Sequence, residues 1–428
     1  MPATQSNPTR DTLYARIAAY VAATEQRNLE LLLQMLSIPK PRMQEHRAVR
    51  FAADLLRAAG CDVDIFEGDG TAEPAPDGKP INVLGRRAGC ADGVAAGRSL
   101  LLEAHLDTVP TGQLNRWKHD PWGASVEAGR VYARGAHDDV AGAALVCLVA
   151  RALQELKLTP QADLYLLLTT EEEYSGGGMR ALRQRHPQLR PDAHLLVDGN
   201  SQPQDCIIGH PGCVSFTIRI PGPFGSAQNV RYVHDANPIE LAGRLIAGLR
   251  RLEEDLARQT GEDVGSVSWP RPTIAIVGIQ SAGWISNVPE ECNLQVWGNV
   301  IPPMTIPCYR DAIESCIRGE AQALPWFAQH PPRIEWGPID VPAMLTPVDS
   351  PFYRALAAAH QRSFGTDLRP RLIGGWGDMR LLDSPQMLFY GPGRGGGDHG
   401  YDEHYEIADL APMLRTLLHL VADWCGVS

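Results

Sequence analysis

Three apolar runs in this 428-residue chain each stop at acidic side chains or a histidine. The run SLLLEAHLD ends in His105 and Asp107, LYLLLTTEEE ends in Glu171, Glu172 and Glu173, and AHLLVD ends in Asp198. Short apolar runs without alternation are typical of strands that are buried on both faces of a parallel sheet. Because parallel strands end on the same edge of a sheet, these side chains are predicted to cluster at that edge.

Helical segments alternate with these runs. Residues 11–36 carry helical periodicity, EHRAVRFAADLLRAAG has Gly60 as its predicted stop, and DDVAGAALVCLVARALQEL follows a loop. A closing helix is predicted in LAPMLRTLLHLVADWC. The alternation predicts an α/β fold with a mostly parallel sheet and helices on both faces.

The pattern changes after residue 210. CVSFTIRIPG alternates between apolar and polar residues, NPIELAGRLIAGLRRLEEDLARQ is amphipathic, and further strand, helix and strand segments follow. The order strand-helix-strand-strand-helix-strand is that of a ferredoxin-like module. We therefore predict a catalytic domain formed by residues 1–210 and 339–428, with an α+β lid and dimerisation domain inserted at residues 211–338.

Composition excludes several classes of function. The chain has 39 Lys and Arg against 50 Asp and Glu, a net charge of −11, which is unfavourable for binding nucleic acid or anionic lipid. It contains no apolar run long enough to predict a membrane span. Nine cysteines without a CxxC pair favour a reducing compartment, and the cytoplasm is the predicted location.

Two further segments carry metal-ligating side chains. ARGAHDDVAG places Asp138 and Asp139 directly before a helix, and FYGPGRGGGDHGYDEH places His399 beyond the last predicted strand. Taken singly, such residues are usually helix caps or solvated acidic runs. All of the candidate ligands follow strands of one predicted sheet or precede a helix beside it. Their joint occurrence therefore predicts a centre for divalent metal ions.

The motifs HLDTVP, TTEEEYSGGG, ISNVPEEC and DHGYDE, in this order, resemble those of the M20 metallopeptidase family. This family includes aminoacylases, acetylornithine deacetylase, succinyl-diaminopimelate desuccinylase and glutamate carboxypeptidases. The resemblance covers nearly the whole chain. It implies a zinc-peptidase-like catalytic domain with an inserted lid.

The resemblance also implies two divalent metal ions per subunit, which could be zinc, manganese or cobalt. His105 and His399 would each bind one ion, Asp138 would bridge the two, and Glu173 and Asp198 would complete the two ligand sets. Glu172 would act as the general base. Asp107 would orient the ring of His105.

The implied activity is hydrolysis of an amide or other C–N bond in a small molecule, such as an N-acyl amino acid, by a metal-bridging water that Glu172 activates. The chain differs from the family at positions that are expected to bind the substrate. Asn299 stands where the family has a lid arginine, and GGWGDMR, residues 374–380, inserts a tryptophan. The predicted substrate contacts are Arg380, Arg394, Asn287, Trp376 and His137.

Several alternatives stay open at this point. One is an aminohydrolase that acts on an amino-substituted aromatic acid such as 5-nitroanthranilate, with Trp376 as a flat apolar surface. GPGRGG, residues 391–396, formally matches a dinucleotide fingerprint, but no helix follows it. That segment is the basis of the second alternative, a dinucleotide-binding enzyme. The third alternative is a metal-free binding protein with the same fold. The predicted partners are a small-molecule substrate and further copies of the chain, as a homodimer or higher homo-oligomer formed through the lid domain; no nucleic acid or membrane partner is predicted.

Overall fold

The computed structural model describes residues 8–68, 78–90, 97–174, 176–199, 202–259, 268–374 and 377–428. The chain divides into two compact units. The first contains the chain up to Ile208 together with Thr346–Arg371 and Gly377–Ser428, and the second contains Gly209–Leu345 and the segment that starts at Leu372. Within the described ranges, no helix combines the length and the apolar composition that a membrane crossing requires.

The α-helices of the described residues are α1 (Pro8–Ala23), α2 (Glu25–Leu36), α3 (His46–Ala58), α4 (Val140–Glu155), α5 (Gly177–Arg185), α6 (Val230–Asp235), α7 (Pro238–Ala257), α8 (Ile306–Gln322), α9 (Pro351–Phe364) and α10 (Leu410–Trp424). Short 3₁₀ turns lie at Leu114–Arg116, Pro325–Ala328, Asp378–Leu381 and Ile407–Asp409.

The strands are β1 (Asp62–Glu67), β2 (Ile81–Arg87), β3 (Leu100–His105), β4 (Ser125–Glu127), β5 (Arg130–Tyr132), β6 (Leu164–Thr169), β7 (Ala193–Leu196), β8 (Asp205–His210), β9 (Gly212–Pro221), β10 (Gly225–Ser226), β11 (Thr273–Ser281), β12 (Asn287–Val288), β13 (Glu291–Val300), β14 (Arg333–Val341), β15 (Met344–Leu345), β16 (Arg369–Leu372), β17 (Met387–Phe389), β18 (Gly395–Gly396) and β19 (His404–Glu406).

The large sheet of the first unit confirms the α/β prediction. Its middle strands, in the order β6-β3-β7-β17, run parallel to one another. Antiparallel pairs flank them, with β2 beside β6, β1 beside β2, and β8 beside β17. The sheet is therefore mixed, with parallel strands in the middle and antiparallel pairs on both sides.

Helices cover both faces of the parallel strands. Helix α4 packs on β3, and α5 contributes Met179 and Leu182 to a cluster that contains Leu101 of β3 and Leu167 of β6. Every residue of β3 is buried as a result. Burial on both faces is the physical reason why this strand shows an unbroken apolar run instead of alternation.

The single helix predicted over residues 11–36 is wrong in one respect, because it is two helices that meet at Thr24. The hydroxyl of Thr24 donates to the carbonyl of Tyr20 at 2.9 Å, an acceptor that it shares with its own backbone N–H at 3.0 Å. Such back-bonding of a threonine bends a helix. Apolar periodicity alone does not locate a bend of this kind.

The second unit has the predicted ferredoxin-like order of β9, α7, β11, β13, α8 and β14. Its antiparallel sheet runs β11-β13-β9-β14. Alternate residues of β9 enter the core, where Phe216 and Ile218 pack with Leu245 of α7 and Ile313 of α8. The two helices cover one face of the sheet, which explains the period of two in the sequence of β9.

Leu245→Ala should destabilise the second unit by about 2–5 kcal/mol, because the leucine is fully buried and its loss leaves a cavity. Ile239→Ala, on the same helix but 48% exposed, is the matched control and should change stability by under about 1 kcal/mol. Urea unfolding followed by tryptophan fluorescence measures both. Equal stability of the two variants would contradict the assigned core.

Candidate metal centre

The parallel strands bring the predicted ligands to one edge of the first unit's sheet. His105 is the last residue of β3, Asp198 lies two residues after β7, and Glu173 lies four residues after β6. Asp138 is two residues before α4, whose N-terminal turn approaches β7 closely. A Cβ added to Gly142 would lie 2.1 Å from the carbonyl oxygen of Val197, so a glycine is needed there for α4 to reach this position.

Five side chains form two groups whose ligand atoms lie within 4.8 Å of one another. The first ligand group is His105, Asp138 and Asp198; the second ligand group is Asp138, Glu173 and His399. Asp138 belongs to both. Its Oδ1 lies 3.0 Å from Nε2 of His105, and its Oδ2 lies 3.1 Å from Nε2 of His399.

The remaining distances complete each group. Nε2 of His105 lies 3.8 Å from Oδ2 of Asp198, and Nε2 of His399 lies 3.0 Å from Oε2 of Glu173. The carboxylate of Asp138 thus has one histidine and one further carboxylate on each of its two sides. This is the arrangement expected of a carboxylate that bridges two ions.

Asp107 holds the two glutamates as well as facing His105. Its carboxylate accepts the backbone N–H groups of Glu172 at 3.3 Å and Glu173 at 3.2 Å. Nδ1 of His105 is nearer to the backbone carbonyl of Asp107, at 3.0 Å, than to its carboxylate, at 3.6 Å. The residue therefore fixes the loop after β6, and its backbone is the nearer partner of the imidazole.

The electrostatics of the cluster are unfavourable for free carboxylates. Burial, and after it the neighbouring charge of Asp138, raises the pKa of Glu173 to about 7 and that of Asp198 to about 6. Burial also raises the pKa of Glu172 well above its usual range. A hydrogen bond to Asp138 raises the pKa of His399 to about 9. Negative charges crowded in this way need a compensating positive charge to remain ionised.

The donor set fits divalent metal ions. Imidazole nitrogens and carboxylate oxygens are ligands for zinc, manganese and cobalt. Oε1 of Glu173 is buried and has no hydrogen-bond partner among the described residues. A cation in the second ligand group would satisfy that oxygen and the crowded charges together. We call the two ligand groups together the metal centre.

The two predicted substrate arginines have different surroundings. Arg394 makes a bidentate ion pair with the buried Asp409, with Nη2 at 2.7 Å and Nε at 3.0 Å from its oxygens. That partner engages the guanidinium, and substrate binding by Arg394 stays a prediction. Arg380 lies on the 3₁₀ turn Asp378–Leu381, and its buried Nε has no hydrogen-bond partner among the described residues.

The other predicted substrate contacts are His137, Asn287 and Trp376. His137 is buried, with Nδ1 2.8 Å from a carboxylate oxygen of Asp398 and Nε2 3.1 Å from the carbonyl of Gly393. Asn287 belongs to the second unit, in β12, which pairs with β10. Trp376 lies outside the described residues.

Three buried acidic residues near the metal centre received no role from the sequence. Asp139 accepts the backbone N–H of His105 at 3.2 Å and so links the start of α4 to the end of β3. Asp378 is fully buried, and neither of its carboxylate oxygens has a hydrogen-bond partner in the described ranges. Glu403 lies four residues after His399. All three lie in segments that the sequence analysis quotes, Asp139 in ARGAHDDVAG, Asp378 in GGWGDMR and Glu403 in DHGYDE.

Comparison with known proteins agrees with this geometry. The sequence profile "Peptidase family M20/M25/M40" matches residues 101–423. The chain is 24% identical, over 96% of its length and 97% of the relative, to an N-formyl-4-amino-5-aminomethyl-2-methylpyrimidine deformylase of Halalkalibacterium halodurans. It is 29% identical, over 92% of its length and 95% of the relative, to a succinyl-diaminopimelate desuccinylase of Methylobacterium nodulans.

Solved structures share the fold. A tripeptidase of Staphylococcus aureus superimposes with a TM-score of 0.73 at 18% identity, covering 94% of this chain and 98% of the other. A dinuclear metal-binding M20 peptidase of Bacillus subtilis gives a TM-score of 0.67 at 14% identity, covering 94% and 99%. With the family profile matched over most of its length, the chain belongs to peptidase family M20/M25/M40, a family of metal-dependent hydrolases.

Proposed function

We propose that the chain hydrolyses the amide bond of a small N-acyl compound and releases the acyl group from its nitrogen. The observation that carries the proposal is the position of Asp138, whose two carboxylate oxygens face His105 and His399 at 3.0 and 3.1 Å. A shared carboxylate between two histidine-containing groups suits a pair of divalent ions. His105 and Asp198 would hold one ion, and Glu173 and His399 the other.

Divalent ions at these positions would supply a more acidic water and a Lewis acid for the amide oxygen. Glu172 takes the proton of the attacking water, the water oxygen bonds to the acyl carbon, and the C–N bond breaks. Glu172 then returns the proton to the departing nitrogen. Asp107 keeps Glu172 and Glu173 at fixed positions through their backbone N–H groups.

The relatives support a small acyl group as the part that hydrolysis removes from the nitrogen. One is named as a deformylase and another as a desuccinylase, so both names describe removal of an acyl group from nitrogen. Formyl and succinyl derivatives of small amines are therefore the first substrates to test, with N-acyl amino acids among them.

A substrate panel tests this function. Formyl, acetyl and succinyl derivatives of amino acids and of aminomethylpyrimidines are incubated with the metal-loaded protein, alongside dipeptides and amino-substituted aromatic acids. Release of formate, acetate or succinate without free ammonia is expected. Ammonia from an aromatic acid, without any acyl release, would overturn the proposal in favour of the aminohydrolase alternative.

Substitutions should separate the base from the ligands. Glu172→Gln should lower kcat by at least about 100-fold, because the general base is lost, while metal content stays at the parent level. His399→Ala should lower metal content, because the second ligand group loses its histidine. Elemental analysis after dialysis, together with turnover of the best panel substrate, measures both effects.

His404→Ala is the control, since it removes a histidine five positions away that belongs to neither ligand group. It should keep the parent's metal content. If Glu172→Gln retains turnover, the assigned base is wrong, and if His399→Ala retains both ions, the ligand set is wrong.

We propose that two copies of the chain associate through the second unit. Strand β11 is an edge of its sheet, and it exposes Val277 and Ile279, at 65% and 57%. The loop after it exposes Trp284 and Ile285, at 73% and 95%. An apolar, unpaired edge of this kind is a template for pairing with another strand, and a second copy of the same edge can pair with it antiparallel.

Light scattering after size-exclusion chromatography should give a dimer or a larger assembly at micromolar concentration. The double variant Val277→Lys and Ile279→Lys should shift the protein to monomer, because charges on an edge strand oppose pairing. Val126→Lys, at a position 52% exposed in the first unit, should leave the mass unchanged. A monomeric parent protein would contradict the proposed interface.

A further inference from the structure

Glu403 has the surroundings of a residue that positions others. It is fully buried and lies four residues after His399, directly before β19. It belongs to neither ligand group. The hydrogen bonds identified for its carboxylate all come from the loop that leads into α4, Arg134 to Asp138.

Both oxygens of Glu403 accept two hydrogen bonds each. Oε1 accepts the backbone N–H groups of His137 and Asp138, both at 3.0 Å. Oε2 accepts the backbone N–H of Gly135 at 2.9 Å and Nη1 of Arg134 at 2.7 Å. Bonds to an ionised carboxylate are stronger than neutral ones, so this one side chain fixes most of the loop that carries Asp138.

The backbone of this loop is shaped to present its N–H groups to one acceptor. Gly135 has φ +79°, in the left-handed region, and a Cβ there would lie 2.8 Å from Cγ2 of Thr108. Glycine is therefore needed at this turn. Backbone N–H groups that converge in such a turn form a concave anion site, and the carboxylate of Glu403 occupies it.

Two further contacts tie the Asp138 loop to the segment that carries His399. The guanidinium of Arg134, 2% exposed, also donates to the carbonyl of Gly400 at 2.6 Å. His137 lies between Asp398 and the carbonyl of Gly393, at 2.8 and 3.1 Å. The residues on either side of His399 are thus held to the residues before Asp138.

We infer that Glu403 is a positioning residue for the metal centre, which sets the carboxylate of Asp138 between His105 and His399. It does this through the backbone of Gly135, His137 and Asp138, and it contacts neither ions nor substrate. A shared ligand has to present both oxygens at once, so a loose loop would weaken both ligand groups together. The inference rests on the proposed metal-dependent function.

Glu403→Gln tests it. Glutamine keeps the shape but has one acceptor oxygen, and its NH₂ group faces two donors, so at least two of the four hydrogen bonds are lost. Zinc affinity, measured by competition with a chelator on metal-free protein, should fall at least about tenfold, the usual cost of losing a residue that orients a ligand. The visible absorption of the cobalt-loaded protein should shift, because the ligand geometry changes.

Glu406→Gln is the matched control, the same substitution three residues along, at a carboxylate paired with the exposed Arg130 at 2.7 Å. It should match the parent in zinc affinity and cobalt spectrum. A purely structural role for Glu403 would lower the melting temperature of the metal-free Glu403→Gln protein while leaving zinc affinity and cobalt spectrum at parent values. That result overturns the inference.

If Glu403→Gln does not fold, Arg134→Lys decides, because lysine keeps a positive charge beside Glu403 but cannot also reach the carbonyl of Gly400 with a second donor group. Weaker zinc binding in folded Arg134→Lys supports the inference, and parent-like binding overturns it. Failure of the parent protein itself to bind zinc, manganese or cobalt would instead refute the proposed function, so the two failures are distinguishable.

Discussion

The repulsion between buried carboxylates at one edge of a sheet is the constraint on which this structure depends. Glu173 and Asp198 have pKa values raised to about 7 and about 6, first by burial and then by the charge of Asp138. Folding that brings such groups together is unfavourable unless something compensates the charge. The two histidines and the proposed cations do this, so the metal centre is part of the energetics of the fold as well as of the chemistry.

The parallel strands bring the ligands of the metal centre to one edge of the sheet, and close packing fixes their positions. In the pairing of β3 with β6, His105 lies opposite Thr169, so the residues that follow β6 emerge beside the imidazole. Helix α4 can bring Asp138 to the same edge because Gly142 leaves room for the carbonyl of Val197. Asp139 accepts the backbone N–H of His105. The adjacent aspartates therefore differ in their contacts, because Asp138 belongs to the metal centre and Asp139 binds strand β3.

The first unit contains the metal centre, and several described side chains of its loops are engaged by partners within the unit. Arg394 is engaged by Asp409, and His137 bridges Asp398 and Gly393. Both residues carry charge or hydrogen-bonding capacity that, from sequence, suggested substrate contact. Those partners engage both side chains within the first unit. Substrate contact by either residue stays a prediction, as it does for Arg380, whose buried Nε has no hydrogen-bond partner among the described residues.

The sequence by itself determined the α/β class, the ferredoxin-like second unit and the types of side chain at the strand ends. It could do so because apolar runs, alternation and the residues that end them are local features. The sequence did not predict the break between α1 and α2 at Thr24, because a bend leaves the apolar periodicity of the helix unchanged. Only the tertiary structure decided that Asp139 binds the backbone of His105, that the backbone of Asp107 is the nearer partner of the His105 ring, and that Glu403 holds the Asp138 loop. Those facts depend on contacts between residues up to 269 positions apart, such as Arg134 and Glu403, and no local pattern encodes which distant groups a buried carboxylate will meet.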